Sequence, residues 1–523
     1  MIATSIKLRQ KLPLIITLSL AIIAGVISLL LYFGNGQNII YGDARSHLNI
    51  ARRVFDSTNP GLAQLGGVWL PLLHLLMLPT ITNNFFWHSG LSGITVNFPA
   101  FILSVFFLFK IGELLFKNNR LVQILIPLLY ILNPNILYMS TTPMTEVLFI
   151  ATFTGSIYFL LQWTIKERLI DLVISGFFFF LTSVNRYEGW SIGLSAAISI
   201  VLISLVTGKK RSKVEGNVIL FSTIAFIGIL FWLIWQLIIF KDPLYFLHSI
   251  YSSKYQTLSG IEKGGGNVFY NNFGLSFLGY LYAVMENVGY LYAILASFGF
   301  ILTLINMCKF IINKKGLKQE LYIFILFILI TPFLFLSYAV YKGNVPLVVP
   351  QLNNGTFNIR LGMYMIPSVT ILILFLVKKI AWKKLFLIII LTAQLALFSK
   401  NFIFPITLQA GNEGIESKIE VAKWFKNNYK GGKILASSAT GDPLLFDSHL
   451  QLKEFITDGS AELFTKTLEE PRKYVEYIVM SASPVDRTRD LVYIKFSLNR
   501  QLLNNYQVVF TNKAFEILKL KNK

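Results

Sequence analysis

Side chains able to do chemistry are sparse in residues 1–404, and they gather in one stretch. From Gly42 to Pro79 the chain reads GDARSHLNIARRVFDSTNPGLAQLGGVWLPLLHLLMLP, holding Asp43, Arg45, His47, Arg52, Arg53, Asp56 and His74. Asp43 and His47 stand one helical turn apart, a spacing at which an imidazole can tune a carboxylate that acts as general base. Plotted with helical periodicity, Asp43, His47, Ile50, Ala51 and Val54 share one face, and Arg45, Asn49, Arg52 and Asp56 share another. Arginine suits phosphate, because its planar fork donates in pairs and keeps its charge.

Further charges stand at the ends of apolar runs: Glu146 in TTPMTEVLF, Arg186 and Glu188 in NRYEGW, and Arg360 ahead of Pro367. An ionisable group at a bilayer edge is expensive unless it faces a polar cavity or a partner. Each has a plainer reading beside the chemical one. Asp43 after Gly42 can be an N-cap, Glu146 can cap the helix it begins, Arg186 and Glu188 can pair with each other, and the loop arginines can meet lipid headgroups. His47, His74 and His88 share the loop, but their spacing matches no short metal-ligand motif, so no metal ligand is assigned. Carboxylates there would equally suit Mg or Mn. A carboxylate beside several arginines at the mouth of a membrane cavity fits a reaction on a phosphate-linked lipid.

The elements that must position these residues are membrane spans. With 54% hydrophobic residues and a mean hydropathy of +0.61, the 523-residue chain is too apolar for a soluble protein. Spans need about 20 apolar residues, and that ruler gives about eleven. They fall near 12–33, 90–116, 121–139, 146–165, 169–184, 189–207, 218–240, 288–312, 321–340, 361–377 and 385–404. The run after Lys7, Arg9 and Lys11 is longer than a signal-peptide core and reads as an uncleaved first span.

The net charge of +21 collects in short clusters between apolar runs, which is the positive-inside pattern and not a nucleic-acid face. Lys117 and Arg120; Lys166 and Arg168; Lys209, Lys210, Arg211 and Lys213; Lys309, Lys314, Lys315 and Lys318; and Lys378, Lys379, Lys383 and Lys384 all fall on one side. With a cytoplasmic N-terminus, the loop at 34–89 and the tail from 405 lie outside. The loop is expected to form an amphipathic helix along the membrane surface, a break at Asn59-Pro60-Gly61, and a second interfacial piece containing His74. Cys308 is the only cysteine, so no disulfide forms within the chain.

Residues 241–287 read as another outside loop, with a Gly264-Gly265-Gly266 tip and tyrosines, including Tyr245, Tyr251, Tyr280 and Tyr282, in an interfacial belt. Two parts follow: a membrane domain, 1–404, and a small α/β domain, 405–523. The second has 17 Lys+Arg against 14 Asp+Glu and soluble patterning. A helix is expected over Glu413 to Tyr429, strands at Lys433 to Ser437 and Tyr474 to Ser481, and a hairpin from Gln507–Thr511 and Phe515–Leu520.

Asp43, Ile50-Ala51-Arg52 and Pro71-Leu72, with TPMTEVLF and the Arg360-to-Pro367 element, make the chain resemble the GT-C membrane glycosyltransferases. The likeness is greatest to the branch of protein O-mannosyltransferases and aminoarabinose transferases, glycosyltransferase family 39. Three features depart from that pattern: Ala44 replaces a second acidic residue, Ser46-His47 stands where the aminoarabinose transferases have Arg-Tyr, and Trp424 is alone where oligosaccharyltransferases have Trp-Trp-Asp. The resemblance implies a sugar donor carried on polyprenyl phosphate (dolichyl phosphate in some branches) and an outside lipid, glycan or protein acceptor. Asp43 would be the general base, with Glu146 ordering hydroxyls and His47 tuning Asp43. Arg360 or Arg186 would stabilise the leaving phosphate, helped by a first-loop arginine, and one displacement would invert the anomeric centre. The competing reading is a polytopic transporter or lipid flippase, which more often shows repeated halves and charged midplane helices.

Overall fold

The computed structural model describes residues 2–262, 267–313, 321–399, 401–411, 416–484 and 486–521. The Gly264-Gly265-Gly266 run, Lys314, Lys315, Lys318 and the Glu413 start of the expected tail helix lie outside the described residues. Eight helices among them are long and apolar enough to cross a membrane: Lys11–Gly34, Leu91–Leu115, Glu146–Lys166, Glu188–Val206, Arg211–Phe240, Tyr290–Lys309, Tyr322–Tyr341 and Ile359–Lys379. The other three expected spans are helical but shorter. Leu169–Ser183 and Lys383–Phe398 are single helices, and 121–139 divides into Arg120–Ile131 and Pro134–Met139. The division has a local cause: Asn133 accepts hydrogen bonds from the Asn135 and Ile136 amides, and Pro134 takes the first helical turn, where its missing N–H costs nothing.

The helices differ in how deeply they sit. Lys11–Gly34 and Arg211–Phe240 are peripheral and leave Leu30, Phe231 and Ile238 exposed, whereas Glu146–Lys166 and Ile359–Lys379 are the most enclosed. Apolar side chains on an outer surface suit lipid, and the chain is an integral membrane protein. One expected loop segment proves to be structural. Phe273–Val288 is a helix packed on Leu326–Tyr341, and Tyr280 is wholly buried, donating to the Leu361 carbonyl, rather than lying in an interfacial belt.

The tail forms a five-stranded mixed sheet. Its strands are β1 (Ile434–Leu435), β2 (Phe455–Ile456), β3 (Tyr477–Ser481), β4 (Tyr506–Thr511) and β5 (Phe515–Leu520), in the order β2-β1-β3-β5-β4. β1 runs parallel to β2 and β3, and the hairpin β4–β5 joins antiparallel through β5. Glu416–Asn428 packs on β5, and Ser438–Asp447 packs on Glu416–Asn428. The short helix Ile406–Gly411 belongs with the bundle: the Thr407 amide and hydroxyl donate to Asn135 Oδ1, and Tyr41 donates to the Thr407 carbonyl.

The helix expected along the membrane surface, Gly42–Arg53, is instead enclosed, with Ala44 to Arg52 all buried. Leu72–Ile81 covers one side, and Ser438–Asp447 of the tail covers another. A sequence reading of amphipathicity sees the polar face but not the second layer that buries it.

Candidate active site

Two turns and one loop helix place the central charges. Asn358 adopts a left-handed conformation (φ 57°), which asparagine tolerates, and its side chain donates to the Pro346 carbonyl. A 3₁₀ turn, Ile359–Met365, follows before the helix Ile366–Lys379, which has Pro367 in its first turn. Asn287 and Tyr280 donate to the Ile359 and Leu361 carbonyls. Gly362 is needed there, because a Cβ would stand 2.1 Å from the Ala283 carbonyl oxygen. Arg360 is thereby fixed on the entry turn. The Glu146 turn is held likewise: Asn97 donates to the Thr142 and Met144 carbonyls at 2.7 and 2.6 Å, and Asn185 donates to the Thr145 carbonyl.

Arg360 bridges two carboxylates. Its Nε donates to Glu146 Oε1 at 2.9 Å, and Nη2 donates to Asp43 Oδ2 at 2.5 Å. The guanidinium also lies 5.0 Å from the centre of the Tyr41 ring. The carboxylates differ sharply in access: the Glu146 side chain is 0% exposed and that of Asp43 is 42%. Among the described residues Glu146 Oε2 has no hydrogen-bond partner. Glu146 thus anchors Arg360 from within, while Asp43 presents an open oxygen. The capping reading of Glu146 does not account for this pair, and Thr145 at the N-cap makes no side-chain cap bond.

Arg186 forms the next layer. It pairs with Glu188 at 3.3 Å, donates to Thr145 Oγ1 at 3.0 Å, and lies over the Tyr364 ring at 5.0 Å. The plain pairing with Glu188 and a place beside Glu146 are therefore both realised. His47 Nδ1 and His74 Nε2 share one hydrogen bond of 2.8 Å, and the His47 ring packs against Trp69. Burial, then the positive charges of Arg186 and Arg360, pushes the His47 imidazolium pKa down to about 3. His47 is accordingly a neutral neighbour of the carboxylate site and not an acid near neutral pH.

The remaining expected binding residues turn elsewhere. Arg45 pairs with Asp447 and Arg53 with Asp442 on the tail helix Ser438–Asp447. Arg52 pairs with Asp56 at 3.0 Å, donates to the Ile81 and Thr82 carbonyls, and covers Trp87 at 4.7 Å. Asp56 also accepts from the Lys453 amide. The wheel face that joined Arg45 and Asn49 with Arg52 and Asp56 is therefore split. Arg45, Asn49 and Arg53 bind the tail, Arg52 binds the loop, and Asp56 joins Arg52 to the tail at Lys453.

Among the described residues no three His, Cys, Asp or Glu side chains converge as metal ligands, and His88 stacks with His449 of the tail, away from His47 and His74. Sequence reasoning missed Tyr41, Thr145, Trp69 and Tyr364. Tyr41 and Tyr364 lie close in sequence to Asp43 and Arg360, which was the available signal.

No family profile and no curated protein matches the chain. Solved structures do. ArnT from Cupriavidus metallidurans bound to undecaprenyl phosphate aligns with TM-score 0.54 and 11% identity, covering 97% of each chain. The apo form aligns with TM-score 0.54 and 12% identity over the same shares. An oligosaccharyltransferase from Archaeoglobus fulgidus follows at TM-score 0.49 and 10% identity, covering 89% of this chain and 69% of its own, too low to add weight. Over 97% of its length the chain has the fold of these GT-C membrane enzymes.

Proposed function

We propose that this protein is an integral-membrane glycosyltransferase that moves a sugar from a polyprenyl-phosphate donor to an acceptor outside the cytoplasm, inverting the anomeric centre. The observation that carries the reading is the Arg360 bridge, with a sequestered Glu146 on one side and an open Asp43 on the other. The aligned ArnT structure is bound to undecaprenyl phosphate, which supports the donor class. The basic clusters at Lys117, Lys166, Lys209 and Lys378 support an orientation in which the Asp43, Glu146 and Arg360 turns lie on the opposite side of the membrane.

In the proposed reaction, an acceptor hydroxyl or amine gives its proton to the open oxygen of Asp43 as it attacks the anomeric carbon. The bond from that carbon to the lipid phosphate breaks, and the departing phosphate carries the electron pair. Arg360 and Arg186 stabilise the charge that develops on it. Glu146 keeps Arg360 aimed, and neutral His47 supports Asp43 without competing for the proton. The acceptor is a lipid, glycan or protein, and mannose or aminoarabinose is the sugar class that the resemblance suggests. Positive charge for the leaving group comes from two guanidinium groups.

Asp43→Asn is expected to lower transfer from a polyprenyl-phosphate sugar by about 10²- to 10⁴-fold while membrane abundance holds. Wild-type transfer in that variant would remove Asp43 as the base.

A further inference from the structure

Apart from the site itself, the most fully built charge cluster lies where the helix Gly42–Arg53 meets the tail. Arg45, Asn49 and Arg53 recur every four residues and form one stripe. All three engage the single helix Ser438–Asp447: Arg45 Nε is 3.0 Å from Asp447 Oδ1, Asn49 Nδ2 donates to the Asp442 carbonyl at 2.8 Å, and Arg53 pairs with Asp442. The paired side chains are closed to solvent, at 7% and 14% exposure for Arg45 and Asp447 and 11% each for Arg53 and Asp442. Pro443 of the same tail helix packs over Gly42, the residue before Asp43. Asp43 itself opens the helix that this stripe holds.

We propose that Asp442 and Asp447 are positioning residues for the transfer reaction: by neutralising Arg53 and Arg45 they clamp the helix that carries Asp43, so that the tail domain sets where Asp43 stands. The inference rests on the glycosyl transfer proposed above. At about 100° per residue, Arg45, Asn49 and Arg53 stand about 200°, 240° and 280° round the helix from Asp43, so the clamp grips the back and one flank of the helix and leaves the Asp43 face open. On a third side Ala44, Leu48 and Ala51 are wholly buried. The helix can turn or slide only if the ion pairs break, and a buried guanidinium left without its carboxylate is strongly unfavourable. A small displacement at Asp43 matters, because attack geometry is intolerant of errors near 1 Å.

The test uses the full-length chain in proteoliposomes, with kcat and KM measured for a polyprenyl-phosphate sugar and amide hydrogen exchange followed across 42–53 and 188–206. Asp447→Asn and Asp442→Asn are expected to lower kcat by about ten- to a hundredfold with KM for the donor unchanged, since Arg360 and Arg186 are untouched. Exchange should quicken in 42–53 and not in 188–206, and Asp447→Glu should recover most of the lost rate. Wild-type kcat in both variants, or unchanged exchange in 42–53, overturns the clamp. If Asp447→Asn does not accumulate, Arg45→Met with Asp447→Met removes both charges and leaves neither orphaned; slow turnover supports the clamp and a wild-type kcat overturns it. If the wild-type chain transfers no sugar, the enzymatic reading fails and the exchange data alone decide the clamp.

Discussion

Two groups of buried arginines meet carboxylates on different sides of one short helix, and they are built for different ends. At the junction with the tail, Arg45 and Arg53 face Asp447 and Asp442, and both members of each pair are closed off. At the bundle, Arg360 is equally enclosed, but one of its two carboxylates, Asp43, is 42% exposed. The same residue types therefore make a fastening in one place and a reactive surface in the other. Under the proposed function, one accessible carboxylate beside a sequestered partner is what separates the reactive pair from the fastening.

The sharpest way to break this contrast is at Arg360. Arg360→Gln is expected to lower transfer by about 10²- to 10³-fold, through loss of charge at the leaving group. It also leaves Glu146 buried and uncompensated, a loss of about 3–5 kcal/mol in stability. A transfer assay paired with thermal unfolding separates these effects, and undiminished activity would show that Arg360 is merely structural.

Acid probes both regions through their histidines. Burial, then the neighbouring His449 and Arg52 charges, holds His88 at about 4 in the junction, against the opposing pull of Asp56, and His47 stands at about 3 beside the site. Burial first, then His47 and Arg53, holds His74 well below the ordinary histidine range. Between those values and the unfolded value of about 6.5, the unfolded chain binds protons that the folded chain refuses. Stability is therefore expected to be full above about pH 6.5 and to fall as the pH drops below it. The midpoint of thermal unfolding, measured downward through that range, should decrease; a level or rising midpoint would contradict the burial of these rings. The smallest expected effect is that of a chelator, which should leave transfer unchanged. Loss of activity restored by Mg or Mn would add a metal to the bundle site.

The charged ends of spans were legible in the sequence because an ionisable residue beside an apolar run has few cheap explanations. Glu146, Arg186, Glu188 and Arg360 surfaced that way and Asp43 through the polar stretch that holds it, although their convergence did not. The bridge joins residues 43, 146 and 360, and nothing local encodes that meeting. The roles of Arg45 and Arg53 were hidden for the same reason: their partners stand about four hundred residues on, in a different kind of domain. Phe273–Val288 was obscured by its polar and aromatic content, which resembles an interface until Tyr280 is seen inside the protein. The paired strands of the tail were readable where alternation was long, as in the β4–β5 hairpin. They were blurred at β1 and β2, each of which has only two residues.

The contrast between the two arginine groups is tested most directly by a density map of the protein with undecaprenyl phosphate bound. The account predicts the phosphate on Arg360 and Arg186, with the open oxygen of Asp43 facing the position of the sugar. A phosphate seated on Arg45 and Arg53, with Asp442 and Asp447 displaced, would contradict it.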